Sequence, residues 1–296
     1  MTETLSTTER LITGFSDLAW GTPLLILLMG GGLFFLLYSR MLPFRYFRHA
    51  IGILSGKYDN PDEPGQINHY QALSTALAAT VGMGNISGVA LAITMGGPGA
   101  IFWMWISALL GVCTKYFTCT LAVMYRGRDS SGELQGGPMY VIVEGLGKNW
   151  RPLAVFFSLM GMIGVLPMFQ VNQLTQIVRD VVLVPNNVNA GFGSDLISGL
   201  LVTVLVGVVI FGGIRRIGKV TGRLVPVMVA LYVISVLVII FSDPGNILPS
   251  LELIFRDAFT AQSVLGGSLG ALVIMGVRRA AFSNEAGIGT APMALS

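Results

Sequence analysis

Residues 72–95 read ALSTALAATVGMGNISGVALAITM, with Gly82-Met83-Gly84-Asn85 near the centre, and carry no charged side chain. Crossing a bilayer as a helix takes ~20 predominantly apolar residues, so the stretch is long enough to span. Its middle is where interruption should be least tolerated. Glycine frees the backbone to leave helical geometry, and asparagine adds a neutral oxygen ligand. Backbone that unwinds at membrane depth persists only where protein buries it or where it lines a watery cavity. Secondary transporters use such breaks to hold a substrate carboxylate and a coupling cation near the midplane. The stretch therefore points to an all-α polytopic membrane protein built around a discontinuous helix.

The composition agrees. Of 296 residues, 53% are hydrophobic and 11% charged, against ~25% charged in soluble domains, and the mean hydropathy is +0.73. There are 38 glycines, where the usual ~7% would give about 20; in membranes glycine serves close helix packing as well as breaks. A pI near 9.0 would suit nucleic acid, but the basic residues fall at the ends of apolar segments, where topology accounts for them. Cys113 and Cys119 share one helix and point to different faces, so no disulfide is expected. Glu3 and Glu9 stand where a signal peptide has its basic region, and the apolar run that follows is too long for one.

Seven spans are expected, at 18–38, 72–95, 100–125, 153–177, 196–214, 224–241 and 260–283, in one transmembrane domain over 18–296 that follows an extracytoplasmic tail, 1–17. Pro167 should kink the fourth, because a mid-helix proline loses a backbone bond and clashes with the preceding turn. Arg40, Arg45, Arg48 and Lys57 lie in the first loop, Arg126, Arg128, Lys148 and Arg151 in the third, and Arg215, Arg216, Lys219 and Arg223 in the fifth. The opposite side holds Arg10, Arg179 and Arg256. Basic residues stay cytoplasmic, so twelve against three places the N-terminus outside and the C-terminal end inside.

Spans 2 and 7 are the two with glycine clusters inside them. They run in opposite directions and lie five helices apart, which is what an inverted repeat of five-helix units produces. On that reading span 1 stands outside the repeat, spans 2–6 form the first unit, and span 7 opens a second unit whose other four helices are not in the sequence.

Longer strings carry a resemblance. Ala79-Thr80-Val81-Gly82-Met83-Gly84-Asn85-Ile86-Ser87-Gly88-Val89-Ala90, running into Gly96-Gly97-Pro98-Gly99-Ala100-Ile101-Phe102-Trp103-Met104-Trp105, resembles the alanine/glycine:cation symporter family. So do Gly136-Gly137-Pro138-Met139-Tyr140 and Phe282-Ser283-Asn284-Glu285-Ala286-Gly287-Ile288-Gly289-Thr290-Ala291-Pro292. The resemblance covers the chain from about residue 14 onward. It implies a LeuT-type inverted-repeat fold, sodium coupling and uptake of small neutral amino acids such as alanine or glycine across the cytoplasmic membrane. It also implies a longer chain with about four more spans. The sequence departs from the family pattern at Thr118, Gly222 and Pro167, where Glu, an acidic residue and Asn are common.

The resemblance also suggests roles. In related sodium-coupled neurotransmitter symporters a Gly-x-Gly-Asn break places its Asn on sodium, and Val81-Gly82-Met83-Gly84-Asn85 matches it. Asn85 is thus the first sodium ligand expected, with Thr80 and Ala78 adding hydroxyl or carbonyl oxygens; the plain alternative is an Asn bonding across a helix interface. Gly82, Met83 and Gly84 would offer N–H groups to a carboxylate at a helix start, where the dipole favours negative charge, although Gly84 and Gly88 also have the spacing of packing glycines. Gly266, Gly267, Ser268 and Gly270 would form the matching break in span 7. Gln170 and Asn172 in span 4 face different directions, so one of them at most should reach the substrate. Lys115, a charge well inside a span, should snorkel or pair with a buried carbonyl. Arg278, Arg279 and Glu285 could form an ion network at the inner end of span 7, or be interfacial anchors.

Other classes fit less well. Proton carriers need a carboxylate or His at depth, whereas His49 and His69 lie in the first loop and the acidic residues in loops, tails or segment ends. An intramembrane enzyme would need a His-Glu-x-x-His motif or paired aspartates, or a base beside Ser87 or Ser107; none is present. A channel would usually repeat its filter through subunit symmetry. The expected partners are a small neutral amino acid, a sodium ion as the coupling ion with no other cofactor, and the bilayer. The rival within the class is an incomplete, non-transporting piece of such a carrier.

Overall fold

The computed structural model of the chain describes residues 6–58, 67–186, 188, 191–259 and 268–295. Its main helices, in chain order, are α1 Thr7–Ala19, α2 Gly31–Tyr38, α3 Phe47–Leu54, α4 His69–Thr80, α5 Met83–Gly96, α6 Gly99–Met124, α7 Arg151–Gly164, α8 Met168–Ile177, α9 Phe192–Ile210, α10 Gly213–Ser242, α11 Ile247–Ala258, α12 Ser268–Asn284 and α13 Thr290–Leu295. Beyond α6 a short antiparallel ladder pairs β1 Gly127–Arg128 with β2 Leu134–Gln135.

Among the described residues, five stretches are long and apolar enough to cross a membrane: Thr7–Tyr38, His69–Gly96, Gly99–Met124, Phe192–Ile210 and Gly213–Ser242. The expected tail 1–17 is already helical from Thr7, where Ser6 and Glu9 cap each other's backbone N–H groups. The expected fourth span is two helices: α7 stops at Gly164 and α8 starts at Met168 after Pro167, whose missing N–H cannot continue the ladder. The basic cluster Arg215 to Arg223 lies within the first turns of α10 rather than in a loop; long basic side chains tolerate that by extending their heads away from the apolar body. Residues 260–267 of the expected seventh span fall outside the described residues, and the rest of it is α12.

The centre of the molecule is α6. Helices α2, α11, α12 and α13 all pack against it, α12 also packs on α5, and α13 on α4. Small residues make these approaches possible: a Cβ on Gly276 would lie 2.8 Å from the Trp103 Cβ and 2.9 Å from the Ala100 oxygen. Ala92, Ala100, Met104, Leu272 and Ala280 form the buried cluster at this crossing. Apolar burial drives little helix association in lipid, so tight contact between small side chains is what holds such helices together. Along α9, by contrast, no residue is buried; its outward Leu, Val and Ile side chains are what a hydrocarbon surround would cover.

Candidate functional site

The break in span 2 falls where its glycines stand. Helix α4 ends at Thr80, Val81 turns into extended backbone (φ −84°, ψ 105°), and Gly82 precedes the new start at Met83. A helix end leaves its last four carbonyls without ladder partners, here those of Leu77 to Thr80. Val81 N–H takes the Leu77 oxygen at 2.7 Å, and the Asn85 amide reaches back to give Nδ2–H to the Thr80 oxygen at 2.8 Å. Ala78 and Ala79 supply the remaining carbonyls at this end. On the other side of the break the first N–H groups of the 14-residue α5 point out of its start.

A second break faces the first. Helix α12 ends at Asn284, the chain turns through Glu285 (φ +54°), Gly287 (φ +88°) and Gly289 (φ +97°), and α13 begins at Thr290. Left-handed backbone costs a glycine little but a glutamate on the order of 1 kcal/mol, so Glu285 is held there by its surroundings. Its Oε2 accepts the Thr290 hydroxyl at 2.5 Å and lies 3.4 Å from Thr80 Oγ1. Ser283 donates its hydroxyl to Asn85 Oδ1. The amide of Asn284 is turned back onto its own loop, with Oδ1 accepting the Ala286 N–H at 2.8 Å. Because α5 packs on α12 and α4 on α13, the two broken segments lie side by side with their gaps at one level.

Asn85 therefore joins the two breaks, tied to a free carbonyl of one and a hydroxyl of the other. Asn85 bonds across the helix interface, and hydroxyl, amide, carbonyl and carboxylate oxygens converge around it; such hard neutral or anionic donors are the kind that suit sodium. Thr80 stands at the centre of the cluster. Ala78 is in the last turn of α4 with its side chain exposed. Gly84 lies against α12, where a Cβ would meet Phe282 Cδ1 at 2.9 Å, the Phe282 oxygen at 3.3 Å and Ser283 Cα at 3.3 Å; a Cβ on Gly82 would meet nothing within 4 Å. Gly84 is thus close-packed on α12, and Gly82 has open space beside it.

Other expected residues fall elsewhere. Ser268 and Gly270 are in the first turn of α12, and Gly266 and Gly267 lie outside the described residues. The segment brought to the break in span 2 is Phe282 to Thr290. Gln170 and Asn172 are both exposed on α8, Asn172 beside Thr175 and Asp195 in an open cleft between α8 and α9 of ≈ 460 Å³. Lys115 pairs with a carbonyl, giving Nζ–H to the Asn284 oxygen at 3.0 Å and to Thr80 Oγ1 at 3.2 Å. Arg278 does not join Glu285 in an ion network: it donates to the Trp20 oxygen and stands 4.0 Å from Asp17 Oδ1. Sequence reasoning missed Ser283, Glu285 and Thr290 as members of the site. The signal was Asn284 beside Gly287-x-Gly289, a counterpart of Gly82-x-Gly84-Asn85.

A family model described as the sodium:alanine symporter family matches residues 5–296. The chain is 44% identical over 298 residues to an uncharacterized transporter of Haemophilus influenzae, covering 97% of the chain and 62% of that protein. It is 40% identical over 290 residues to the sodium/alanine symporter AgcS of Methanococcus maripaludis, covering 96% and 62%. With the probable sodium/glutamine symporter GlnT of Bacillus subtilis it shares 36% over 287 residues, covering 97% and 58%. The chain thus spans about three fifths of the length of these curated relatives.

Proposed function

The chain belongs to the sodium:alanine symporter family, a family of transporters and not of enzymes, and from that membership we propose that it forms the substrate- and ion-binding core of a carrier that moves a small neutral amino acid, alanine or glycine, into the cell with sodium. The observation that carries the proposal is the pair of breaks at one level, joined through Asn85 to Thr80 and Ser283. The substrate carboxylate sits on the N–H groups of Gly82, Met83 and Gly84 at the start of α5, where the helix dipole favours an anion. Sodium takes oxygens from Asn85 and Thr80, with an Ala78 carbonyl within the same turn. Two antiparallel broken helices from opposite halves of an inverted repeat, in a LeuT-type arrangement, let α4 with α13 and α5 with α12 separate in turn, so that the site opens to one side and then the other.

The test is uptake of labelled amino acid into proteoliposomes holding the 296-residue chain, with the Methanococcus maripaludis symporter reconstituted in parallel. Alanine, glycine and glutamine are compared, since relatives of this chain are named for alanine and for glutamine. Accumulation of alanine or glycine that needs an inward sodium gradient is the expected result. Uptake indifferent to sodium overturns the coupling. An inactive chain beside an active relative overturns transport by these 296 residues alone.

A further inference from the structure

We propose, resting on the sodium-coupled reading above, that Lys115 and Glu285, acting through Thr80, are the charge pair that sets how tightly sodium binds between the two breaks. Lys115 is the one charged residue of α6 from Gly99 to Met124. A cation in the body of a spanning helix is costly unless it is partnered. Its ammonium reaches the C-terminal ends of both broken helices at once, touching Thr80 at the end of α4 and the Asn284 oxygen at the end of α12. Helix C-termini carry partial negative charge and attract cations. Glu285 follows Asn284 directly, and its carboxylate approaches the same Thr80 hydroxyl that the ammonium touches. The two charges meet at the Thr80 hydroxyl, 3.2 Å from Nζ and 3.4 Å from Oε2.

This geometry fixes Thr80. A hydroxyl has one proton and two lone pairs. One lone pair takes the lysine proton, and the hydroxyl's own proton turns to the Ala76 oxygen at 2.8 Å or to Glu285. One lone pair is left for sodium. The electrostatic consequence has a definite sign. A lone ammonium beside a sodium site repels the ion and a lone carboxylate attracts it; together they nearly cancel. Lys115 and Glu285 are positioning residues, and their separate removal must move sodium affinity in opposite directions.

The experiment reads sodium binding on the purified full chain without transport, from its melting temperature as sodium replaces potassium at constant ionic strength, since a ligand of the folded state raises stability with its concentration over Kd. Lys115→Met is expected to bind sodium about tenfold more tightly and Glu285→Gln about tenfold more weakly, modest values for a unit charge a few ångströms away. The double variant Lys115→Met/Glu285→Gln and the charge-retaining Lys115→Arg should return close to the unsubstituted chain. Should Lys115→Met not fold, the weakening in Glu285→Gln and its reversal in the double variant carry the same sign test. A chain that responds to sodium with one affinity in every variant overturns the proposal and leaves a purely structural pair. A chain that does not respond to sodium at all overturns the sodium-coupled reading, and this proposal with it.

Discussion

At the scale of single residues, Gly82 and Gly84 look alike in sequence and differ in surroundings. Gly82 has extended backbone (φ −163°) that any residue adopts, with open space where a Cβ would go, while Gly84 presses on α12. Gly84→Ala should therefore lower stability by about 1–3 kcal/mol, the usual cost of forcing a methyl into a packed contact. Gly82→Ala should leave the melting temperature within a degree or two, because little surface is disturbed, while weakening amino-acid binding if the carboxylate sits at this helix start as proposed. Melting curves with and without alanine separate the two effects, and equal loss of stability in both variants would assign both glycines to packing. Asn85 and Lys115 were legible because a polar side chain in an apolar run must find a partner at depth. Which partner each would find was not, since Ser283, the Thr80 carbonyl and the Asn284 carbonyl belong to other helices or to backbone.

At the scale of elements, the break in span 2 was readable from the sequence, and the turn at Glu285 to Gly289 was not expected. Two glycines and an asparagine in the middle of an apolar window mark the gap between α4 and α5. In span 7 the sequence draws attention to Gly266 to Gly270, of which Gly266 and Gly267 lie outside the described residues, and hydropathy falls away at Asn284, so Glu285 to Gly289 read as the end of a span. The structure places the turn there because Glu285, Gly287 and Gly289 all take positive φ, and helix resumes at Thr290. The start of α6 was legible to within a residue, but its cap was not: α11 brings Asp257 to it, and the Asp257 carboxylate accepts the Gly99 N–H at 2.8 Å. A carboxylate on the first N–H groups of a helix acts as a cap and meets the positive end of the dipole. Asp257→Ala should cost about 0.5–2 kcal/mol and Asp257→Asn distinctly less, as measured by thermal melts in detergent. Identical melting temperatures for all three chains would remove this cap from the account.

At the scale of the whole molecule, charge and packing point to the same end. Three basic clusters were assigned to one side from sequence alone, and the contacts gather that side together. Tyr70, at the start of α4, donates to the Gly222 oxygen at 3.2 Å, and Thr75 meets Thr221 at 3.1 Å, so the basic opening of α10 lies beside the segment that follows the basic first loop. Gly137, in the chain after β2, approaches Met293 of α13, where a Cβ would lie 2.8 Å from Met293 Cγ. The basic stretch around Arg126 and Arg128 and the end of α13 therefore share that side. If the excess of Lys and Arg keeps this end in the cytoplasm, the start of α1 must face outward. Single cysteines test this after Cys113 and Cys119 are replaced. Thr8→Cys and Ser131→Cys both occupy exposed positions, the second in the turn between β1 and β2. A membrane-impermeant thiol reagent should label Thr8→Cys in intact spheroplasts and Ser131→Cys only after permeabilisation. Labelling in the reverse order would invert the molecule in the membrane, and with it the direction of opening proposed for α4 and α13.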